Sequence, residues 1–185
     1  MRLVFLFIIV SVLNCSAQKS NQELSTEAYK IVNVVLDDYG LQKFLLDDVD
    51  YHYDLSSGFK AYIHWYMKYL ETGKNGPPTS KDIDWILNSD DIGFISVNLE
   101  YDSVRIKWDK YKLNRPEILY ASENPELLNS THLPRIGLIH ISKPYMNREK
   151  NKAVVFIVRD AGYLILVEKI DNKWQLCGKI EYLSS

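Results

Sequence analysis

The sequence predicts an α+β domain in which N-terminal helices pack on a C-terminal antiparallel β-meander. Three observations predict it. Four strand-like runs separated by tight-turn residues fill Ile136 to Leu183, and apolar residues recur at helical spacing first between Ala28 and Tyr39 and again between Phe59 and Leu70.

Residues 1–17 read as a signal peptide. Arg2 precedes an apolar run from Leu3 to Leu13, shorter than the roughly 20 residues of a bilayer-crossing helix, and Cys15, Ser16 and Ala17 follow. Cleavage after Ala17 fits the rule of small residues at the first and third positions before the cut. Lipid attachment at Cys15 is the competing route, although Asn14 is a poor residue before a lipobox cysteine. The expected localisation is therefore export, periplasmic or secreted, or else lipid-anchored in the cell envelope through Cys15. Residues 18–185 form one expected α+β domain, large enough to bury a core.

A formal net charge of -2 and the absence of a basic stripe give no attraction to nucleic acid. With two cysteines in the chain and Cys15 processed or lipidated, Cys177 has no intramolecular partner, which excludes a disulfide framework and a cysteine metal site. A buried or inert Cys177 is the preferred reading.

The first mature helix runs from Ser25 to Tyr39. Ala28, Ile31, Val32, Val35, Leu36 and Tyr39 form its stripe, Ser25 or Thr26 caps it, Glu27 suits the positive end of its dipole, and Gly40 stops it. Leu41 to Leu46 is apolar and equally compatible with helix and strand. Asp47, Asp48, Asp50, His52 and Asp54 form the densest set of metal-ligand types, but the glycine and terminal acid of a calcium-binding loop are missing. Alternation through Val49, Tyr51, Tyr53 and Leu55 instead predicts a solvated edge strand with its polar residues outward, and no metal is expected.

The second helix, Gly58 to Thr72, carries Phe59, Tyr62, Ile63, Tyr66, Met67 and Leu70 on one side and Ala61, Trp65 and Tyr69 on another, with His64 nearby; Gly73 ends it. Tyr62, His64, Trp65 and Tyr69 are the candidate ligand-binding residues, because rings offer a large contact area and stack on sugars, peptides or cations. Burial of this helix between the sheet and a neighbouring segment is the preferred reading, because aromatic stripes at helical spacing are usually core.

Lys74 to Ser80 is the clearest linker. Ser80, Asp82 and Ile83 open a short predicted helix through Leu87, and Ser89 with Asp90 and Asp91 predicts a cap before Ile92 to Leu99, with Val97 to Ile106 an alternative strand. Around Trp108, basic Arg105, Lys107, Lys110 and Lys112 are balanced by Asp102 and Asp109, the pattern of a solvated face. Asn114 to Pro134 reads as a loop-rich crossing with a sequon at Asn129 to Thr131.

In the meander, Ile136 to Ile141, Ala153 to Arg159 and Tyr163 to Lys169 are apolar runs. Trp174, Leu176, Gly178, Ile180 and Tyr182 alternate with Gln175, Cys177, Lys179 and Glu181, which predicts one buried face on the last strand. Asp160 to Gly162 suits a hairpin loop with a positive φ at the glycine, and Asp171 with Asn172 suits a two-residue loop.

The I-S-x-P of Ile141 to Pro144 and the L-x-E-K-x-x-x-K-W of Leu166 to Trp174, together with SDDIGFISVNLEY and IKWDKYKL upstream, resemble small exported or lipid-anchored proteins of unknown function common in Bacteroidetes. The likeness covers Ser89 to Tyr182 and rests on strand and turn grammar. It implies an exported protein and no particular activity. Many such proteins carry a Gly/Cys-rich turn between the first two meander strands; here Arg159 to Gly162 is short and lacks Cys. The last strand is also similar to that of nuclear transport factor 2-like domains, although the helix order does not match clearly.

No G-x-S-x-G elbow, H-E-x-x-H, phosphate-binding Gly loop or dinucleotide fingerprint is present. The adjacent pairs Asp37–Asp38, Asp47–Asp48 and Asp90–Asp91 point their side chains in different directions. No catalytic residue and no cofactor are therefore expected. The leading expectation is a non-catalytic binding module for a protein, peptide or glycan. The alternatives are an envelope hydrolase using Asp and His from separate segments, or an immunity or accessory protein of a neighbouring gene product. Membrane contact is expected only through Cys15.

Overall fold

The computed structural model describes residues 24–38, 44–74, 83–115, 117–129 and 137–183. The signal peptide with Cys15, the Gly40 stop, most of the 74–80 linker and part of the 129–131 sequon lie outside the described residues. In chain order the elements are α1 (Thr26–Asp38), β1 (Phe44–Leu46), α2 (Leu55–Thr72), α3 (Ser89–Tyr101), β2 (Ile118–Tyr120), α4 (Pro125–Leu128), β3 (Leu138–Ile141), β4 (Tyr145–Met146), β5 (Lys152–Val158), β6 (Gly162–Ile170) and β7 (Lys173–Leu183). The protein is α+β, with helices ahead of a mixed, mostly antiparallel sheet.

The strand order is β2-β1-β3-β5-β6-β7, with β4 also paired to β5. β5, β6 and β7 form the expected antiparallel meander. Asp171 and Asn172 both take positive φ, 49° and 61°, in the β6–β7 turn, which is why short polar side chains stand there. At the β5–β6 turn the outcome differs: Gly162 is the extended first residue of β6, paired with Val158 and Leu183. The other half of the sheet was hidden. β1 lies parallel to both β2 and β3, joining segments far apart in sequence, and its three residues are too few to carry a period.

The two sheet faces are covered by different helices. Ala153, Val155 and Ile157 of β5, with Ile165 and Val167 of β6, meet Ile31, Val32, Val35 and Leu36 of α1 in one core. Val154, Phe156, Leu164, Leu166 and Ile180 meet Phe59 and Tyr62 of α2 and Ile95 and Leu99 of α3 in the other. A sheet apolar on both faces needs a cover on each. Close approach of α2 requires Gly58, since a Cβ there would stand 2.9 Å from the Phe156 ring.

The last strand does not keep one buried face. Leu166 pairs with Gly178 while the next residue, Val167, pairs with Leu176, so Cys177 is the extra residue of a bulge. Trp174 and Leu176 consequently pack on the α1 side, and Ile180 and Tyr182 on the α2–α3 side. One inserted residue reverses the faces of everything beyond it.

Two local expectations are also corrected. Residues 83–88 are not helical. The extended chain lets the Asp84 N–H donate to the Cys177 carbonyl at 3.3 Å, and it buries Ile83 and Leu87 against the sheet. The cap of α3 is Asn88: its side chain accepts from Asp91 N–H at 2.8 Å, and Asp91 accepts from Asn88 N–H at 3.2 Å. Helix therefore wins over strand for Val97 to Tyr101. The α1 start is as expected, with Ala28 N–H donating to Ser25 Oγ at 3.2 Å. Gly73 closes α2 at φ 66°, donating to Tyr69 O.

Candidate functional site

The aromatic stripe of α2 is divided by the packing. Phe59, Tyr62 and Tyr66 stack in succession, with centroids 5.6 and 6.1 Å apart. Trp85, from the extended 83–88 segment, closes over them at 5.4 Å from Tyr62, 5.7 Å from Tyr66 and 5.6 Å from Tyr69. Tyr62 is 0% exposed, so this ring belongs to the core and is withdrawn from any recognition surface. Trp65 and Tyr69 are half-buried one turn apart, and His64 is exposed. His64 stands edge-on to Trp65 at 5.3 Å, and Lys68 Nζ sits 4.8 Å from the same ring. One face of Trp65 thus carries Lys68, and one face of Tyr69 is stacked on Trp85.

What the helices offer outward includes aliphatic side chains, beside the Tyr101 ring of α3, which is 77% exposed. Met67 and Leu70 of α2 are 50% and 58% exposed, and Val97 of α3 is 54% exposed. Between the two helices runs a shallow groove of about 260 Å³ lined by Phe59, Ile63 and Leu99 with Ser56, Ser96 and Lys60.

A second region gathers polar chemistry. The carboxyl ends of the parallel strands β1, β2 and β3 lie side by side, a common place for ligand-binding groups in parallel sheets. Asp47 and Asp48 follow β1, Ser122 follows β2, and His140 stands in β3. His140 Nδ1 is 3.0 Å from Asp47 Oδ2. A donating Nδ1–H in that pair leaves Nε2 as the basic nitrogen. Ser122 donates from Oγ to Asp48 Oδ1 at 2.5 Å and from N–H to Oδ2 at 2.7 Å. Ser122 is therefore committed to Asp48, and among the described residues no serine is hydrogen-bonded to the His140–Asp47 pair.

The chain continues from Asp48 across residues 102–108, and here the edge-strand expectation fails. Asp50 is 0% exposed while Tyr53 is 76% exposed, the reverse of polar-out alternation. Only a single bridge, Val49 with Lys107, is ladder-like. The reason is pairing: Asp50 N–H donates to Ile106 O, and Asp50 Oδ1 accepts from Ile106 N–H at 2.7 Å, so the carboxyl acts as part of the backbone ladder. Trp108, read as part of a solvated face, is buried against Tyr29.

Beside this crossing, Asp102 at the end of α3 accepts from Lys143 Nζ and from Tyr145 OH, each at 2.7 Å. Burial alone would raise the Asp102 carboxyl. The bonds from Lys143, Tyr145 and the Val104 amide outweigh it and hold the group below the usual carboxylate range. His52 Nδ1 is 3.9 Å from Asp102 Oδ2, beyond hydrogen-bond reach. Asp102, Lys143 and Tyr145 floor an open hollow of about 330 Å³ with Val97, Tyr101 and Met146 at its sides.

Among the described residues no group of three or more His, Cys, Asp or Glu side chains could hold a metal ion. Cys177 is half-buried at the β7 bulge, and burial pushes its thiol up, away from the reactive thiolate. The Asp/His-rich segment was visible in the sequence. Its partners were not, because Ser122 and His140 stand 74 and 93 residues from the carboxylates they bind. No protein-family model, no curated protein and no solved structure matches the chain.

Proposed function

We propose that the protein is an exported, non-catalytic binding module that engages a protein or peptide through the outward side of α2 and the neighbouring side of α3. The observation that carries this reading is the exposure of Met67 and Leu70, two apolar side chains that are half or more in solvent on the helix that forms one wall of an apolar-floored groove. Aliphatic surface of this kind favours a polypeptide partner over a glycan, which would need open ring faces, and one face each of Trp65 and Tyr69 is already taken. Trp65 lies on the opposite flank of α2 from Ile63, Met67 and Leu70, so it stands outside this surface. Export rests on the Arg2 to Ala17 signal grammar and is supported by the resemblance to exported proteins. Mass spectrometry of the processed chain distinguishes a free N-terminus at Gln18 from a lipidated Cys15.

The test is a pull-down of the processed chain from its own envelope fraction, beside a Met67→Glu/Leu70→Glu variant. A protein captured by the parent and lost with the variant supports the reading. Capture that survives the double variant, or no capture at all, removes it. Specific capture of a gene neighbour's product would identify the module as an immunity or accessory protein.

The His140–Asp47 contact at 3.0 Å favours a second reading, a hydrolase in which His140 is the general base. Turnover of chromogenic esters, phosphates or glycosides that disappears in His140→Ala would put this reading first.

A further inference from the structure

We propose that Asp50 is a proton-holding latch: the folded chain keeps this carboxyl neutral where exposed carboxyls are ionised, and loss of its proton loosens the crossing of residues 47–52 over residues 102–108. The inference stands on geometry. Asp50 is fully buried, and its Oδ1 is used by the Ile106 N–H at 2.7 Å. Its Oδ2 is buried with no hydrogen-bond partner among the described residues.

Several charged or titratable groups face it. His52 comes from its own segment, Arg105 from the crossing segment, Asp102 from the end of α3, Lys143 from the β3–β4 connection and Tyr145 from β4. No cation facing Asp50 bonds to its carboxyl oxygens: His52 Nδ1 has no hydrogen-bond partner among the described residues, and the two longer side chains are bonded to other atoms. Lys143 Nζ is held at 2.7 Å by both Asp102 Oδ1 and the Val104 carbonyl, and Arg105 Nη1 donates to the Asp50 backbone carbonyl at 3.4 Å. An ionised carboxylate with one bare, buried oxygen costs far more than a neutral carboxyl in the same place. Burial accordingly pushes Asp50 up, against the opposing pull of the Ile106 amide, Lys143, His52 and Arg105.

The sign of the linkage follows. A carboxyl raised by folding binds its proton more tightly in the folded chain than in the unfolded one. The stability it contributes is complete below the ordinary carboxylate range and is lost as pH rises through its folded-state value. The bonds to be loosened are those that hold the crossing: Asp50 with Ile106, Trp108 N–H to Asp48 O at 2.9 Å, and the Val49–Lys107 bridge. Asp47 and its partner His140 stand at the start of the same segment, so the latch would also set the order of that pair.

The experiment is a carbon-13 NMR titration of the Asp50 carboxyl in the full chain, with thermal melts of the parent and of Asp50→Asn over the same pH series. Asp50 should titrate above the ordinary carboxylate range. The parent Tm should fall through the Asp50 transition while the Asp50→Asn Tm falls less. Exchange of the Ile106 amide, corrected for its intrinsic rate, should rise by up to about tenfold per pH unit above the transition. An Asp50 that titrates within or below the ordinary carboxylate range, or equal pH slopes in parent and variant, overturns the latch. Should Asp50→Asn not fold, the parent's NMR titration and Ile106 exchange decide alone.

Discussion

The two halves of the sheet solve opposite problems. β5, β6 and β7 are 7, 9 and 11 residues long, and most of their central side chains are apolar and buried. β1, β2 and β3 are 3, 3 and 4 residues long and end in Asp, Ser and His side chains that bond to one another across strands. Long apolar strands covered on both faces leave no room for reactive groups, and short parallel strands bring chain ends from distant segments together. Both halves bury apolar side chains, but polar chemistry gathers only at the ends of the short parallel strands, a division that mutation can test.

The largest effect is expected at Phe156, whose ring meets Tyr145, Tyr182 and Gly58 and is 0% exposed. Phe156→Ala should cost about 4 kcal/mol in urea unfolding, the usual range for deleting a buried ring. A loss below about 1 kcal/mol would show that Phe156 is not a main store of stability in the antiparallel half.

In the polar half, Asp102→Ala should cost about 3 kcal/mol, because it strands the Lys143 ammonium and the Tyr145 hydroxyl in a largely buried position. Replacing both members of the pair in Asp102→Asn/Lys143→Met should recover a large part of that loss. If the double variant is no more stable than Asp102→Ala, the pair is not the unit that matters.

Asn88→Ala should cost about 1 kcal/mol by opening the capping box of α3, with no change in any partner capture by the α2 surface.

The smallest effect is expected at Glu27, which binds Lys30, Lys169 and the Trp174 indole N–H at 2.7, 3.1 and 2.9 Å and so ties α1 to the β6–β7 turn. Hydrogen bonds from Lys30, Trp174 and Lys169 lower its pKa to about 2. Its side chain is partly in solvent, and Glu27→Gln should cost below about 1 kcal/mol at neutral pH. Because folding lowers this pKa, the contribution is present above the ordinary glutamate range and fades as pH falls toward about 2. Melts of Glu27→Gln should therefore have a shallower acid slope than those of the parent. Equal slopes would show that the network contributes nothing to the acid limb.

Legibility followed the same division. Residues 153–169 could be read because strand period, apolar content and turn residues all agreed. The α1 stripe and its Ser25 cap were equally local. The aromatic side of α2 was legible as a stripe but not as a surface: Tyr62 and Trp65 differ in fate because Trp85 comes from another segment to cover the first. Along β7, perfect alternation in the residues concealed the bulge at Cys177, since a period of two cannot register one inserted residue whose neighbours are apolar on both sides.

Taken alone, the residues determined the fold class, the helices α1 and α2, the antiparallel meander and the absence of familiar catalytic motifs. Each depends on neighbours a few positions apart, where helix and strand periods operate. The tertiary structure decided the parallel addition of β1 and β2, the opposite faces taken by α1 and α2, the extended path of residues 83–88 and the burial of Asp50. Those depend on contacts between segments up to 147 residues apart, such as Glu27 with Trp174, and no local period encodes the partner.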